Sequence, residues 1–226
     1  MQKFFFVFRL KNPLLNVMVF CLPISLFWSF LDPLVAQSAS SSERAKSRKL
    51  IIIGDSLTEG YGVSKEQAFP ALIEKKIKQD GKNWIVINSG ISGSTTASAE
   101  SRFRWVLRSK PDMVMFALGA NDGLRGVKVE ESEKNLEKVI RMAQEAKVRV
   151  ILAGLYIPPN YGKEYGIKFR ALYERLSKKY NLPFVSFLLE GVGGVPELNL
   201  ADGIHPNEKG HQKIADNAYK VLKDLL

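Results

Sequence analysis

The stretch Leu50-Ile51-Ile52-Ile53-Gly54-Asp55-Ser56-Leu57-Thr58-Glu59-Gly60 passes from four consecutive apolar residues straight into a polar turn bounded by glycines. An apolar run this short, without polar alternation, is the pattern of a strand buried on both faces. Four more runs of the same kind follow: Trp84–Ile87, Met113–Leu118, Val148–Ala153 and Pro183–Phe187. Between them the spacing predicts helices over Gln67–Gln79, Thr95–Leu107, Glu131–Ala146 and Lys168–Lys179, with a last one over Glu208–Leu225. Strand and helix in alternation imply a parallel α/β sheet. In the last helix Ile214, Ala218, Val221, Leu222 and Leu225 fall on one apolar stripe, which is expected to pack on the sheet. Asn207 is placed to cap its start, and Lys220 and Lys223 suit the negative end of its dipole.

The 226 residues, 46% hydrophobic and 25% charged, suit one globular domain with a short extension. Lys3, Arg9 and Lys11 precede an apolar stretch from Leu14 to Leu31, and the small residues Ala36, Ser38 and Ala39 follow it. That order reads as a signal peptide, with an uncleaved inner-membrane anchor as the alternative. The expected division is therefore a leader over residues 1–38, a polar basic linker over 39–49 and the folded domain over 50–226. The expected location is outside the cytoplasmic membrane, periplasmic or secreted. The only cysteine, Cys21, falls inside the leader, so the mature chain has neither a disulfide nor a thiol nucleophile. Phe20 before it, rather than a small residue, argues against lipid modification.

Net charge is +10, and about +8 once residues 1–38 are set aside. Positive charge of this size attracts anionic lipid, acidic envelope polymers or nucleic acid. The leader argues against nucleic acid, and the even spread of Lys and Arg fits a solvated basic surface as well as an anionic membrane surface.

In an open parallel sheet, ligands bind at the carboxyl ends of the strands. Ser56 stands there, just beyond the first strand, although serine is also common in turns and helix caps. Near the other end of the chain, Asp202-Gly203-Ile204-His205-Pro206 puts a histidine three residues after an aspartate. Such a carboxylate can fix the imidazole tautomer and stabilise the imidazolium formed when histidine takes a serine proton. The order Ser, Asp, His is that of an α/β-hydrolase triad. Two glycine-containing loops complete the set. Asn88–Thr96 offers the backbone N–H groups of Gly90 and Gly93, and Gly119–Asp122 offers the Asn121 amide. With the Ser56 N–H, Gly93 and Asn121 would form a three-donor oxyanion hole; alternatively the glycines serve turns and Asn121 caps a loop.

Other chemistries lack their signatures. No G-x-S-x-G occurs, so a strained nucleophile elbow is not predicted. Neither G-x-G-x-x-G nor G-x-x-x-x-G-K-[ST] occurs, which removes the motif basis for a nucleotide-binding module. His205 and His211 are six residues apart, about 240° around a helix, so they do not form a metal-binding pair. His211 is expected at the surface or in packing, and neither a metal nor a cofactor is expected.

Taken together, Gly54-Asp55-Ser56-Leu57-Thr58-Glu59-Gly60, Asn88-Ser89-Gly90-Ile91-Ser92-Gly93, residues 118–126 (LGANDGLRG) and Asp202-Gly203-Ile204-His205-Pro206-Asn207 resemble the four blocks of the SGNH (GDSL) hydrolase superfamily. The nearest type is the bacterial exported thioesterase I/arylesterase/lysophospholipase group, and the resemblance runs over roughly Leu50–Leu222. It implies Ser56 as nucleophile, Gly93 and Asn121 as oxyanion donors, His205 as general base and Asp202 as its orienting acid. It also implies a three-layer α/β/α fold with a five-stranded parallel sheet in the flavodoxin-like order 2-1-3-4-5. The expected activity is hydrolysis of small-molecule acyl esters or thioesters through an acyl-enzyme, by a monomer. Alternatives are an acetyl esterase acting on envelope carbohydrate and a catalytically inactive lipid-binding protein. Ser94 departs from the pattern, since many relatives have aspartate after the second-block glycine, and this bears on substrate preference. The loops Gly123–Val129 and Tyr156–Gly166 leave strands at the same edge and are expected to line the acyl site.

Overall fold

The structure is a computed structural model and describes residues 47–226. The leader over residues 1–38 and most of the linker lie outside the described residues. Five parallel strands form one sheet in the order β2-β1-β3-β4-β5: β1 (Arg48–Gly54), β2 (Trp84–Gly90), β3 (Met113–Ala117), β4 (Arg149–Ala153) and β5 (Phe184–Val185). This is the 2-1-3-4-5 order that the resemblance implied. Helices α1 (Ser56–Glu59) and α2 (Phe69–Gln79) follow β1, and α3 (Ala99–Leu107) follows β2. Helices α4 (Ala120–Leu124) and α5 (Val129–Glu145) follow β3, α6 (Lys163–Lys179) follows β4 and α7 (Glu208–Leu222) closes the chain.

Helix α2 packs against α7 on one side of the sheet, while α3, α5 and α6 form the layer on the other. Right-handed crossovers force this split, because the chain steps from β1 outward to β2 and then returns past β1 to β3. The reversal falls between β1 and β3, and in open sheets of this kind the carboxyl ends of the strands at such a point are where ligands bind. The central strands β1 and β3 carry the core: Leu50 to Ile53 and Met113 to Ala117 are buried. Each large aliphatic side chain removed from water there contributes about 1.5–3 kcal/mol. Helix α5 buries Val129, Leu136, Val139, Ile140 and Ala143 on one stripe, and α7 buries Ile214, Ala218 and Leu222. Asn207 caps α7 as its sequence position predicts, its Oδ1 accepting from the N–H groups of Lys209 at 3.0 Å and Gly210 at 3.1 Å.

Several boundaries differ from the sequence expectation. Strand β1 takes in Arg48 and Lys49, assigned above to the linker, because Arg48 and Lys49 pair with Trp84 and Ile85 and the Lys49 N–H donates to Asp112 Oδ2 at 2.8 Å. Strand β2 runs on to Gly90, since Asn88, Ser89 and Gly90 are in register with Ile52, Ile53 and Gly54. It is an edge strand and mostly half-buried, not covered on both faces. Strand β5 is only two residues long. The region at Thr95 begins with a 3₁₀ turn, Thr96–Ser98, before α3. Helix α6 starts five residues before Lys168, so part of the segment 156–166 is helical, and Gly123 and Leu124 likewise belong to α4 rather than to a loop.

Candidate active site

The turn after β1 is shaped by three neighbouring residues. A Cβ at Gly54 would lie 1.9 Å from Thr58 Oγ1 and 3.0 Å from the Ala117 carbonyl oxygen, so only glycine fits. Asp55 then caps α1, its Oδ1 accepting from the Leu57 N–H at 3.0 Å, and this sets Ser56 as the first helical residue. Asp55 is fully buried, and burial pushes its carboxyl up to about 6 against the lowering effect of the Leu57 N–H.

The segment after β2 is tied to this turn. The Ile91 N–H donates to Gly54 O at 3.2 Å, and the Ser92 N–H and hydroxyl both donate to Glu59 Oε2. Arg102 of α3 donates to Gly54 O at 2.9 Å and to Ser89 O. Gly90 does not offer its N–H to a substrate, as its loop position suggested. That N–H donates to Asn88 Oδ1 at 2.9 Å, and a Cβ on Gly90 would lie 2.1 Å from the Glu59 backbone nitrogen. Gly93 is different: it has φ +75°, which favours glycine, and its N–H donates to no acceptor among the described residues.

Asn121 sits in α4, just past β3, and its Nδ2 donates to Ser94 O at 3.1 Å. Four residues on, Arg125 Nη2 donates to Gly93 O at 3.1 Å. The two side chains clamp consecutive carbonyls of the 93–94 segment. Below them, buried Asp122 accepts from the Thr96 N–H at 2.9 Å, the Thr96 hydroxyl at 2.5 Å and the Ser132 hydroxyl at 3.1 Å. That anchor for the loop was not read from the sequence.

The loop before α7 is held by a Leu200 N–H to His205 O bond of 2.7 Å and an Asn207 N–H to Leu198 O bond of 3.0 Å. Within it Asp202 Oδ1 accepts from the N–H groups of Ile204 at 2.9 Å and His205 at 3.0 Å. Asp202 Oδ2 lies 2.7 Å from His205 Nδ1, and His205 Nε2 lies 2.9 Å from Ser56 Oγ. The His205 N–H, its ring and the Ile204 N–H together hold the Asp202 carboxyl down at about 2, so it is ionised at neutral pH. A carboxylate only accepts, so Nδ1 carries the proton and Nε2 is left to accept from the serine hydroxyl. The pair is open, with His205 21% and Asp202 39% exposed in their side chains.

His211 is not at the surface but fully buried in α7, where its Nδ1 accepts from the Phe69 N–H at 3.3 Å. Burial drives it down to about 4, and it remains neutral and apart from the relay. Among the described residues no group of three His, Cys, Asp or Glu side chains is placed to hold a metal ion.

Residues 52–213 match the GDSL-like Lipase/Acylhydrolase family. Over 186 residues the chain is 35% identical to the esterase TesA of Pseudomonas aeruginosa, covering 82% of this chain and 92% of that protein. It is also 35% identical over 183 residues to the thioesterase 1/protease 1/lysophospholipase L1 of Escherichia coli, covering 80% and 86%. The crystal structure of TesA superposes with a TM-score of 0.77 at 36% identity, over 79% of this chain and all of that one. A match of this extent, on a sheet of the same order, means that the chain belongs to the GDSL-like lipase/acylhydrolase family, the SGNH hydrolases, and is a carboxylic-ester hydrolase.

Proposed function

We propose that the chain hydrolyses acyl esters and thioesters with Ser56 as nucleophile, His205 as general base and then acid, and Asp202 as the carboxylate that orients it. The observation that carries this reading is the unbroken relay from Ser56 Oγ through His205 to Asp202, at 2.9 and 2.7 Å. Ser56 Oγ attacks the acyl carbonyl carbon while its proton passes to His205 Nε2. The resulting oxyanion accepts from the N–H groups of Ser56 and Gly93 and from the Asn121 side chain. Neither backbone N–H has an acceptor among the described residues, and the Asn121 amide has a second hydrogen beyond the one given to Ser94 O. Collapse breaks the carbonyl–oxygen or carbonyl–sulfur bond, and Nε2–H protonates the leaving alcohol or thiol. Water then attacks the acyl-enzyme with His205 again as base, releasing the acid and restoring Ser56.

The two segments expected to line the acyl site are joined to each other. Tyr165 donates to Val127 O at 2.7 Å, and a Cβ on Gly123 would lie 2.1 Å from Ile157 Cγ2, so the segments 123–129 and 156–166 meet. The name of the Escherichia coli relative, a thioesterase and lysophospholipase, supports thioesters and lysophospholipids within the substrate range. The basic start, apolar stretch and small residues of 1–38 support export.

A fluorophosphonate probe tests the assignment. One equivalent should add to Ser56, as located by peptide mass spectrometry, and hydrolysis of both an aryl ester and an acyl-CoA should stop in parallel. Labelling at another residue, or a Ser56→Ala variant with wild-type turnover, would overturn it.

A further inference from the structure

Tyr61 stands 53% exposed directly after the short helix that carries Ser56, yet its ring lies on the His205 ring, centroids 4.5 Å apart and planes inclined by 40°. The backbone delivers it there. Gly60, at φ +88°, turns the chain so that the N–H groups of both Gly60 and Tyr61 donate to Ser56 O at 3.1 Å. Gly62, at φ +81°, has room for no side chain, because a Cβ would lie 2.4 Å from Leu200 Cδ1, and the Leu200 N–H in turn donates to His205 O at 2.7 Å. Residues 60–62 are thus bonded to the nucleophile on one side and pressed against the histidine loop on the other.

Asp202 and Ser56 engage His205 through Nδ1 and Nε2, in the plane of the imidazole. Tyr61 meets the ring across its face. We propose that Tyr61 is a positioning residue for the hydrolytic reaction, acting through His205: its π face stabilises the imidazolium that exists only while His205 holds a proton taken from Ser56 or from water. A neutral imidazole gains little from such a ring, whereas a cation within about 6 Å of an aromatic face is attracted to its quadrupole. The stabilisation is therefore selective for the transition states and intermediates, which is the condition for raising turnover. The imidazolium forms once in acylation and once in deacylation, so both steps depend on it. The inference rests on His205 being the general base.

The test compares Tyr61→Phe, Tyr61→Leu and wild type by pre-steady-state kinetics with an aryl ester. Leucine keeps apolar bulk without a π face, and phenylalanine keeps the face without the hydroxyl. Tyr61→Leu should slow acylation and deacylation by the same two- to fivefold, equivalent to about 0.5–1 kcal/mol, with KM unchanged. Tyr61→Phe should restore both rates to within about twofold. The ring-current shift of the His205 ring protons in NMR spectra should persist in Tyr61→Phe and vanish in Tyr61→Leu. Wild-type rates in Tyr61→Leu, a change in KM alone, an equal loss in Tyr61→Phe, or His205 proton shifts that do not respond to Tyr61→Leu would each overturn the proposal. A His205→Ala control separates the two layers: retained turnover there would sink the general-base assignment itself, whereas an inactive His205→Ala beside an unimpaired Tyr61→Leu would sink only the role of Tyr61.

Discussion

Replacing Asn121 by alanine removes a proposed oxyanion donor and, with it, the bond from Nδ2 to Ser94 O that helps to hold the 93–94 segment. The two losses have different sizes. A donor aimed at charge that develops in the transition state is worth about 2.7–4 kcal/mol, so kcat should fall about 10²–10³-fold while KM changes little. The ground-state bond to a backbone carbonyl contributes a net ~0.5–1.5 kcal/mol to folding, which a urea melt should register as a modest loss. Loosening of the loop is a rival explanation for any drop in turnover, and Arg125 supplies the control. Its guanidinium holds the adjacent carbonyl, Gly93 O at 3.1 Å, without being placed among the donors. Arg125→Ala should therefore relax the same segment with less than about a tenfold effect on kcat. Steady-state kinetics on a short-chain aryl ester, with circular dichroism to establish that both variants are folded, make the comparison. If Arg125→Ala matched Asn121→Ala in kcat, the asparagine would be a loop clamp and not a donor. If Asn121→Ala raised KM tenfold with kcat intact, it would be a substrate-binding group.

Asp55 makes stability depend on pH in an unusual direction. Its carboxyl holds a proton up to about 6 in the folded state but only to about 3.8 when unfolded, so the native state binds more protons between those values and stability falls as pH rises through them. Two units correspond to roughly 3 kcal/mol. Asp55→Asn, which keeps an oxygen for the Leu57 N–H, should gain on wild type by about 2–3 kcal/mol in urea melts between pH 3.5 and 7.5; a difference that does not vary with pH would refute the burial account. Gly90→Ala should destabilise by about 1–3 kcal/mol and lower turnover, because its Cβ would lie 2.1 Å from the Glu59 backbone nitrogen and would push apart β2 and the helix that carries Ser56. A melt and kcat both within error of wild type would show that this close approach is not required.

The sequence by itself determined the layers and the residue types of the site. Leu50–Ile53 and Met113–Ala117 could be read as strands because burial on both faces leaves no polar alternation, and α7 because one stripe of a long helix must face the sheet. Helices α1 and α4 escaped that reading, being too short to show a period; Asp55, a residue of capping type directly before Ser56, and Gly60 at its end were the local signs of the first. The residues of the four blocks were legible through their resemblance to a family, but their meeting was not. Ser56 and His205 are 149 residues apart and come within 2.9 Å only because β1 and the loop before α7 open on the same edge. The use of Gly90 for packing and not for binding, the burial of Asp55 and His211, and the grip of Arg102 on Gly54 from 48 residues away are likewise decisions of the tertiary structure. Local sequence sets which faces are apolar and where a helix or strand can start, since these depend on neighbours within a few residues. Distances across the sheet edge depend on how four crossovers are packed, and a side chain acquires its hydrogen-bond partners, its burial and its proton affinity only when that packing is complete.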